Sequence, residues 1–147
     1  MFRIRHAAAF AASLALAIPV AAWAQNNPFI GGNYVEVTGV SIDDGHFLDY
    51  ATFLTGYYKA QEQYAISQGW EASYEILANV NKRKGEPDLY LVRRYKSLPD
   101  GIEGDRRDAM IRKQVKMDDA QMAAASGDRA KFRHIDSTML LQELKMR

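Results

Sequence analysis

The chain switches repeatedly between segments of β-strand character and segments in which apolar residues follow a helical spacing. Residues 33–42 are mostly β-branched or aromatic, which predicts a first strand. The acidic turn Asp43-Asp44-Gly45 ends it and favours the start of a helix. Across residues 46–68 apolar residues then recur at steps of three and four, the spacing of one helix face, and Gly69 occupies the position after a helix end that favours glycine.

Residues 70–80 alternate between two kinds of side chain, a period of two that fits a half-buried strand and no helix. The even-numbered positions are apolar or aromatic: Trp70, Ala72, Tyr74, Ile76, Ala78 and Val80. A charged loop at residues 81–86 separates this segment from residues 87–96, which predict a further strand. The two segments together predict a β-hairpin.

The remainder of the chain predicts one more helix and one more strand. A turn-rich break at residues 97–101 precedes a charged helical stretch at residues 103–125, which carries only a partial apolar stripe. Ser126-Gly127-Asp128 is expected to end this helix. Residues 132–146 then have the composition of a last strand.

The predicted order is strand, helix, strand, strand, helix, strand. Two right-handed strand-helix-strand crossovers in such a chain lead to a four-stranded antiparallel sheet with both helices on one face. This is the α+β, ferredoxin-like βαββαβ fold. Several strands have apolar residues on both sides, so the uncovered face of the sheet is expected to be buried, most simply by a second copy of the chain. A cystatin-like domain of similar size is an alternative, against which the second helix argues.

The first 24 residues predict an export signal. A short basic start is followed by an apolar run, and Ala22-Trp23-Ala24 places small residues where a signal peptidase cleaves. We therefore expect residues 1–24 to be removed, residues 25–32 to form a flexible lead-in, and residues 33–147 to form one domain. The expected location is periplasmic or secreted, with no transmembrane segment after cleavage.

Charge and cysteine content narrow the possible partners. Two of the 19 Lys and Arg residues lie in the predicted signal, which leaves 17 against 18 Asp and Glu. A balanced charge does not fit nucleic-acid binding. The chain has no Cys, although export leads to an oxidising compartment, so its stability must come from core packing or from a partner subunit.

The order of elements and several short motifs resemble the dimeric α+β barrel superfamily. These motifs are Asp43-Asp44-Gly45-His46-Phe47 before the aromatic first helix, the step Gly69-Trp70, and the third strand Asp88-Leu89-Tyr90-Leu91-Val92. The likeness covers nearly the whole mature chain and extends to exported branches without assigned chemistry. It implies the fold and a homodimer, whereas activities in the superfamily range from cofactor-free monooxygenases and isomerases to haem-binding enzymes. Its haem-binding members present an axial His from a helix, and residues 103–125 contain none.

Aromatic residues are the main candidates for a binding site. If the fold is correct, the aromatic residues of the first helix face those of the hairpin and form an apolar cleft with several hydroxyl groups. The candidate ligand-binding residues are Tyr57, Trp70, Tyr74, Tyr90 and His134. His134 is also the weak candidate for a catalytic group, because it shares a strand face with Asp136. Each of these side chains also fits an ordinary aromatic core or surface.

No metal site or cofactor is expected, because His46 and His134 lack the spacing of a metal pair, and no phosphate loop or nucleophile elbow is present. The first hypothesis is a homodimeric binding or structural module whose aromatic cleft holds a small hydrophobic ligand. The alternative is a cofactor-free monooxygenase or isomerase that acts on an aromatic or enol-bearing small molecule. An envelope-associated interaction protein, using the basic hairpin tip and the charged helix, is a third hypothesis.

Overall fold

A computed structural model describes residues 27–147. The predicted export signal, residues 1–24, lies outside this part. The elements, in chain order, are β1 (Phe29–Ile42), α1 (Phe47–Phe53), a π-helical turn (Leu54–Tyr58), α2 (Lys59–Ser67), β2 (Ser73–Ala78), β3 (Leu89–Tyr95), α3 (Gly101–Val115), α4 (Asp119–Arg129) and β4 (Arg133–Met146).

The strands form a four-stranded antiparallel sheet in the order β2-β3-β1-β4. This order confirms the predicted α+β, ferredoxin-like arrangement, in which the two crossovers bring the first and third strands to the centre. The predicted hairpin is present, with Tyr74 opposite Arg93 and Ala78 opposite Leu89. The helices lie on one face of the sheet, and the other face is uncovered in the single chain.

β1 begins at Phe29, inside the segment predicted as a flexible lead-in. The cause is β4, which continues to Met146 and supplies hydrogen-bonding partners for Phe29, Ile30 and Gly31. β3 pairs with β1 only from Tyr34 onwards. The early part of β1 and the end of β4 therefore form a two-stranded ribbon that extends beyond the sheet.

The predicted second helix is two helices, which corrects the single helix expected over residues 103–125. Lys116 adopts a left-handed backbone conformation with φ of 56° and ends α3. Asp118 then caps α4, because its side chain accepts from the backbone N–H of Gln121 while the Gln121 side chain accepts from the backbone N–H of Asp118. α4 continues to Arg129, so Ser126-Gly127-Asp128 does not end it.

The buried core lies between the first helix and the centre of the sheet. It consists of Val40, Tyr50, Leu54, Tyr58, Leu89 and Leu91. By contrast, neither α3 nor α4 contributes a buried residue. α3 packs against α2, and a cleft lies between the helices and the sheet.

Candidate functional site

The cleft contains two adjoining cavities, of about 450 and 400 Å³. The first, which we call the aromatic cavity, is lined by Thr38, Tyr50, Phe53, Tyr57, Tyr58, Gln61, Leu91, Arg93, Met117, Met122, Ala125, Ser126, Arg129, Arg133 and Ile135. The second, which we call the carboxylate cavity, is lined by Glu36, Gln61, Ala65, Trp70, Glu71, Arg93, Tyr95, Leu98, Pro99, Gly104, Arg107, Asp108, Ile111, Thr138 and Leu140. Gln61 and Arg93 belong to both walls, so the two cavities are neighbouring parts of one cleft.

The π-helical turn positions the first helix over the aromatic cavity. The first helix comprises α1, the π-helical turn and α2, and from Tyr50 its buried residues follow at steps of four through Leu54 and Tyr58 to Glu62, with Ala65 three positions further on. In a regular α-helix each step of four drifts by about 40° around the axis, so a buried stripe with this spacing would turn away from the sheet. The wider turn at Leu54–Tyr58 offsets that drift and keeps the stripe on the sheet.

The rings of the first helix form a continuous aromatic wall. Tyr50 and Phe53 stack with centroids 5.4 Å apart, and Phe53 and Tyr57 stack at 5.9 Å. The Tyr58 ring is turned inward and meets the Tyr74 ring edge-on at 5.9 Å. Burial raises the pKa of the Tyr50, Tyr57 and Tyr58 phenols, so all three remain neutral at physiological pH.

α4 forms the opposite wall of the aromatic cavity. The Tyr57 hydroxyl donates to the Met122 sulfur across a distance of 3.6 Å. The Arg129 guanidinium carbon lies 4.0 Å from the centroid of the Phe53 ring, a cation–π contact. These two contacts, together with the capped start of α4 at Asp118, hold the wall in place.

Buried polar side-chain atoms without partners occur beside both cavities of the cleft. In the described part of the chain they include the Tyr58 hydroxyl and the Nε atoms of Arg129 and Arg133. A buried donor without an acceptor costs about 1–3 kcal/mol, so such atoms are rare away from binding sites. The aromatic cavity is therefore apolar in most of its wall and has unused hydrogen-bonding groups at defined places.

Two buried carboxyl groups, Glu62 and Glu71, lie beside the carboxylate cavity. The Glu62 side chain is completely buried, and its Oε1 is 3.9 Å from Nη1 of Arg93, whose guanidinium is already paired with Glu36. Burial, and next the neighbouring Glu71 carboxyl, raise the pKa of Glu62. Burial also raises the pKa of Glu71. The two carboxyls cannot both ionise without cost, and we therefore assign the pair a retained proton, held on Glu62.

Tyr95 completes the carboxylate cavity on the β3 side. Burial raises the pKa of its phenol, and the Arg93 guanidinium partly opposes that effect. Trp70 forms another part of the wall and packs edge-on against Tyr64 at 5.7 Å. The guanidinium of Arg107, held by Glu103 at 2.7 Å, covers the Trp70 ring at 5.3 Å. This cavity thus combines an aromatic rim with an acidic interior.

The structure does not bring the five predicted ligand-binding residues together. Tyr57 lines the aromatic cavity and Trp70 the carboxylate cavity. Tyr74 packs into the core between them. Tyr90, on β3, pairs with Gly39. Its neighbours Leu89 and Leu91 are buried on the helix-facing side, so the Tyr90 side chain points to the uncovered face. His134 is half exposed and bonds Asp43 at 3.0 Å, away from both cavities.

The residues that sequence patterns missed are charged ones in apolar positions. Glu62 continues the buried stripe of the first helix, and Arg93 continues the alternation of Leu89 and Leu91 on the helix-facing side of β3. That break in an otherwise apolar pattern is the signal that points to them. Arg129 and Arg133 gave no such signal, because Arg129 ends α4 and Arg133 begins β4, where a charged residue interrupts no apolar pattern.

The basic hairpin tip is largely neutralised within the loop itself. Lys82 pairs with Asp88 at 2.8 Å and Arg83 with Glu86 at 2.5 Å. Asn79 donates to Glu86 and to the Pro87 carbonyl, as part of the turn. These internal pairs leave little free charge for an anionic surface.

In residues 27–147, no cluster of three or more His, Cys, Asp or Glu side chains has the arrangement of a metal site. Nor does any helix in this range combine the length and apolar character needed to cross a membrane. Comparison with family models, with curated proteins and with solved structures gives no match to this chain. The geometry of the cleft is therefore the basis on which function is argued.

Proposed function

We propose that the protein is an exported, homodimeric binding module whose aromatic cavity holds a small hydrophobic ligand. The observation that carries this proposal is a cavity of about 450 Å³ with a wall of stacked rings, Tyr50, Phe53 and Tyr57. Sites for small molecules have this size and are mostly apolar, with a few polar groups that fix orientation. α3 and α4, which bury no residue, leave the site accessible.

The cavity proposal is tested by filling the space. Ala125 lines the aromatic cavity, whereas Ala124, its neighbour in α4, is exposed and does not. Ala125→Phe should abolish binding of a hydrophobic aromatic probe such as 2-methoxynaphthalene, measured by the change in the probe's fluorescence. The matched control Ala124→Phe should bind as the unaltered protein does. Equal binding by both variants, or no binding by the unaltered protein at millimolar probe, would contradict the proposal.

The uncovered face of the sheet supports the homodimer. The register places six apolar residues on it: Val35, Val37, Leu77, Val92, Met139 and Leu141. Leu77, Met139 and Leu141 are each between 45 and 49 % exposed, so this face presents apolar side chains to solvent in the single chain. Monomeric proteins rarely expose such a surface. We propose that a second copy covers it by a two-fold axis, as in the dimeric α+β barrel superfamily that the chain resembles.

The two-stranded ribbon supports the same partner. Phe29, Ile30, Leu144 and Met146 are all exposed on it, from 41 to 84 %. A ribbon that extends past its own sheet with apolar side chains is suited to contact the neighbouring subunit. Strand alternation along β4 places Leu144 and Met146 on the opposite side from Leu141, so the ribbon offers the partner an apolar surface in addition to the uncovered face.

The dimer is tested with a charge on the uncovered face. Leu141→Glu should convert a dimer to a monomer in light scattering at micromolar concentration, because a carboxylate would be buried at the interface without a partner. Ile102→Glu is the matched control, since Ile102 is 85 % exposed on α3 and lies outside the interface. A monomeric mass for the unaltered protein, or a dimer that withstands Leu141→Glu, would count against the proposal.

One observation favours a second candidate, a cofactor-free isomerase or monooxygenase acting on an aromatic or enol-bearing molecule. Glu71 combines a raised carboxyl pKa with a position in a cavity wall, and these are the properties of a general base. The protein would then exchange the carbon-bound hydrogens of an enolisable aryl ketone in D₂O, followed by NMR. Glu71→Gln should abolish this exchange. If hydrogen exchange does not exceed the rate in buffer, the enzyme candidate is wrong and the binding module remains the proposed function.

A further inference from the structure

Two arginines in the wall of the aromatic cavity, Arg129 and Arg133, have no acidic partner among residues 27–147. The arginines of α3 behave differently. Arg106, Arg107 and Arg112 lie between 2.7 and 3.3 Å from a carboxylate oxygen. The positive charges of the two cavity arginines are therefore not neutralised by a neighbouring carboxylate, unlike those of the α3 arginines.

Both cavity guanidiniums are partly removed from water as well as unpaired. The Nε atoms of Arg129 and Arg133 are buried and find no acceptor among the described residues. Burial, and next the positive charge of Arg133, lower the pKa of Arg129, so the two cations are close enough to destabilise each other. An anion between them would relieve the repulsion and accept the unused hydrogen bonds.

Resting on the proposed binding function, we infer that the ligand of the aromatic cavity is a small aromatic carboxylate whose carboxylate group is held by Arg129 and Arg133. A guanidinium matches the two oxygens of a carboxylate in plane and spacing. Arg129 is already fixed by its contact with the Phe53 ring, so little side-chain freedom is lost on binding.

The remainder of the cavity matches the flat, apolar body of such a ligand. The rings of Tyr50, Phe53 and Tyr57 stack with interplanar angles of 27° and 19°, so their faces form a nearly continuous surface. Arg129 lies on the middle ring of this series. A planar ring that extends the series therefore places its carboxylate beside the guanidinium groups, with its carbon atoms against Met122 and Ala125.

The experiment compares two ligands that share a ring system and differ in charge: 2-naphthoate and methyl 2-naphthoate. Binding is measured by fluorescence and by calorimetry on the full mature protein. We expect the acid to bind at least about tenfold more tightly than the ester, because a hydrogen bond between charged groups contributes at least that much to affinity. Arg133→Gln and Arg129→Gln should each remove most of this preference, measured within each variant as the ratio of the acid's affinity to the ester's.

Arg112→Gln is the matched control, because Arg112 pairs with Asp119 outside the aromatic cavity. It changes the net charge equally and should keep the preference for the acid. Arg133→Lys retains the positive charge but not the planar guanidinium, and it should keep part of the preference for the acid. An equal loss in Arg112→Gln would overturn the inference, since the effect would then be one of general charge.

The outcomes separate this inference from the proposed function. If the ester binds the unaltered protein as tightly as the acid, the carboxylate inference is wrong while the hydrophobic binding module stands. If neither compound binds, the binding function itself fails. Displacement of the acid by micromolar inorganic phosphate would overturn the carboxylate in favour of a phosphate group. The ligand comparison needs no variant, so it decides the question even where an arginine substitution prevents folding.

Discussion

Removing the ionisable group of Glu62 should change how the stability of the protein depends on pH. Its side chain is completely buried, and its nearest cation, Arg93, is already paired with Glu36. Burial first, and the Glu71 carboxyl next, raise the pKa of Glu62 to about 9. The folded protein therefore holds a proton over a pH range in which the unfolded chain has released it.

The sign and size follow from proton linkage. Below the ordinary carboxyl pKa both states are protonated, and the contribution of Glu62 to stability is complete. As the pH rises towards the raised pKa, the folded state binds one more proton than the unfolded state, and the free energy of unfolding falls by about 1.4 kcal/mol per pH unit. Glu62→Gln keeps the shape and cannot titrate, so this fall should be lost from the variant.

The measurement is urea unfolding of both proteins at intervals from about pH 5 to pH 8, where the linkage acts. The variant should show a flatter dependence than the unaltered protein and should be the more stable of the two at the upper end. Asp105→Asn is the control, because the Asp105 carboxylate is exposed on α3, away from the uncovered face of the sheet. Parallel curves for Glu62→Gln and the unaltered protein would refute a retained proton at this pair.

Three further changes test the local structure by urea unfolding. Asp118→Ala should lower the free energy of unfolding by about 1 kcal/mol, because it removes the carboxylate that accepts from the Gln121 backbone N–H in the α4 capping box, and an unchanged value would contradict that cap. Lys116→Gly should raise it by about 0.5–1 kcal/mol, since glycine adopts a positive φ without strain, and a loss would contradict the left-handed end of α3. Tyr58→Phe should be neutral or stabilising by up to about 1 kcal/mol, because the buried hydroxyl has no partner in the described chain, whereas a clear loss would reveal a bond that the hydroxyl makes.

The topology could be predicted from the sequence because each strand carries a local signal. The alternation at residues 70–80 and the glycine at Gly69 fix the hairpin and the end of the first helix, and the structure has both. The extent of β1 could not be predicted in this way. Phe29–Gly31 become strand only because the distant end of β4 pairs with them, and no short-range pattern reports such a pairing.

The break between α3 and α4 was present in the sequence as Asp118 followed three residues later by Gln121, the spacing of a capping box. Residues 103–125 are charged and have only a partial apolar stripe, so every position fits one solvated helix. The pattern therefore does not indicate where one helix ends and the next begins. Lys116 hides the break further, since glycine is the residue expected at a left-handed helix end. Tertiary context, rather than propensity, decides this position.

The charged residues that sequence patterns missed lie in or beside the cleft. Glu62, on the sheet-facing side of α2, and Arg93, on the helix-facing side of β3, occupy positions that an apolar residue would fit. Arg129 adds a cation against an aromatic wall on the far side. Burying such groups is costly, and a chain that needed only a core would place Leu or Ile there. Several of these costly residues converge on one cleft, while α3 and α4 bury nothing, and this convergence supports the proposed binding function.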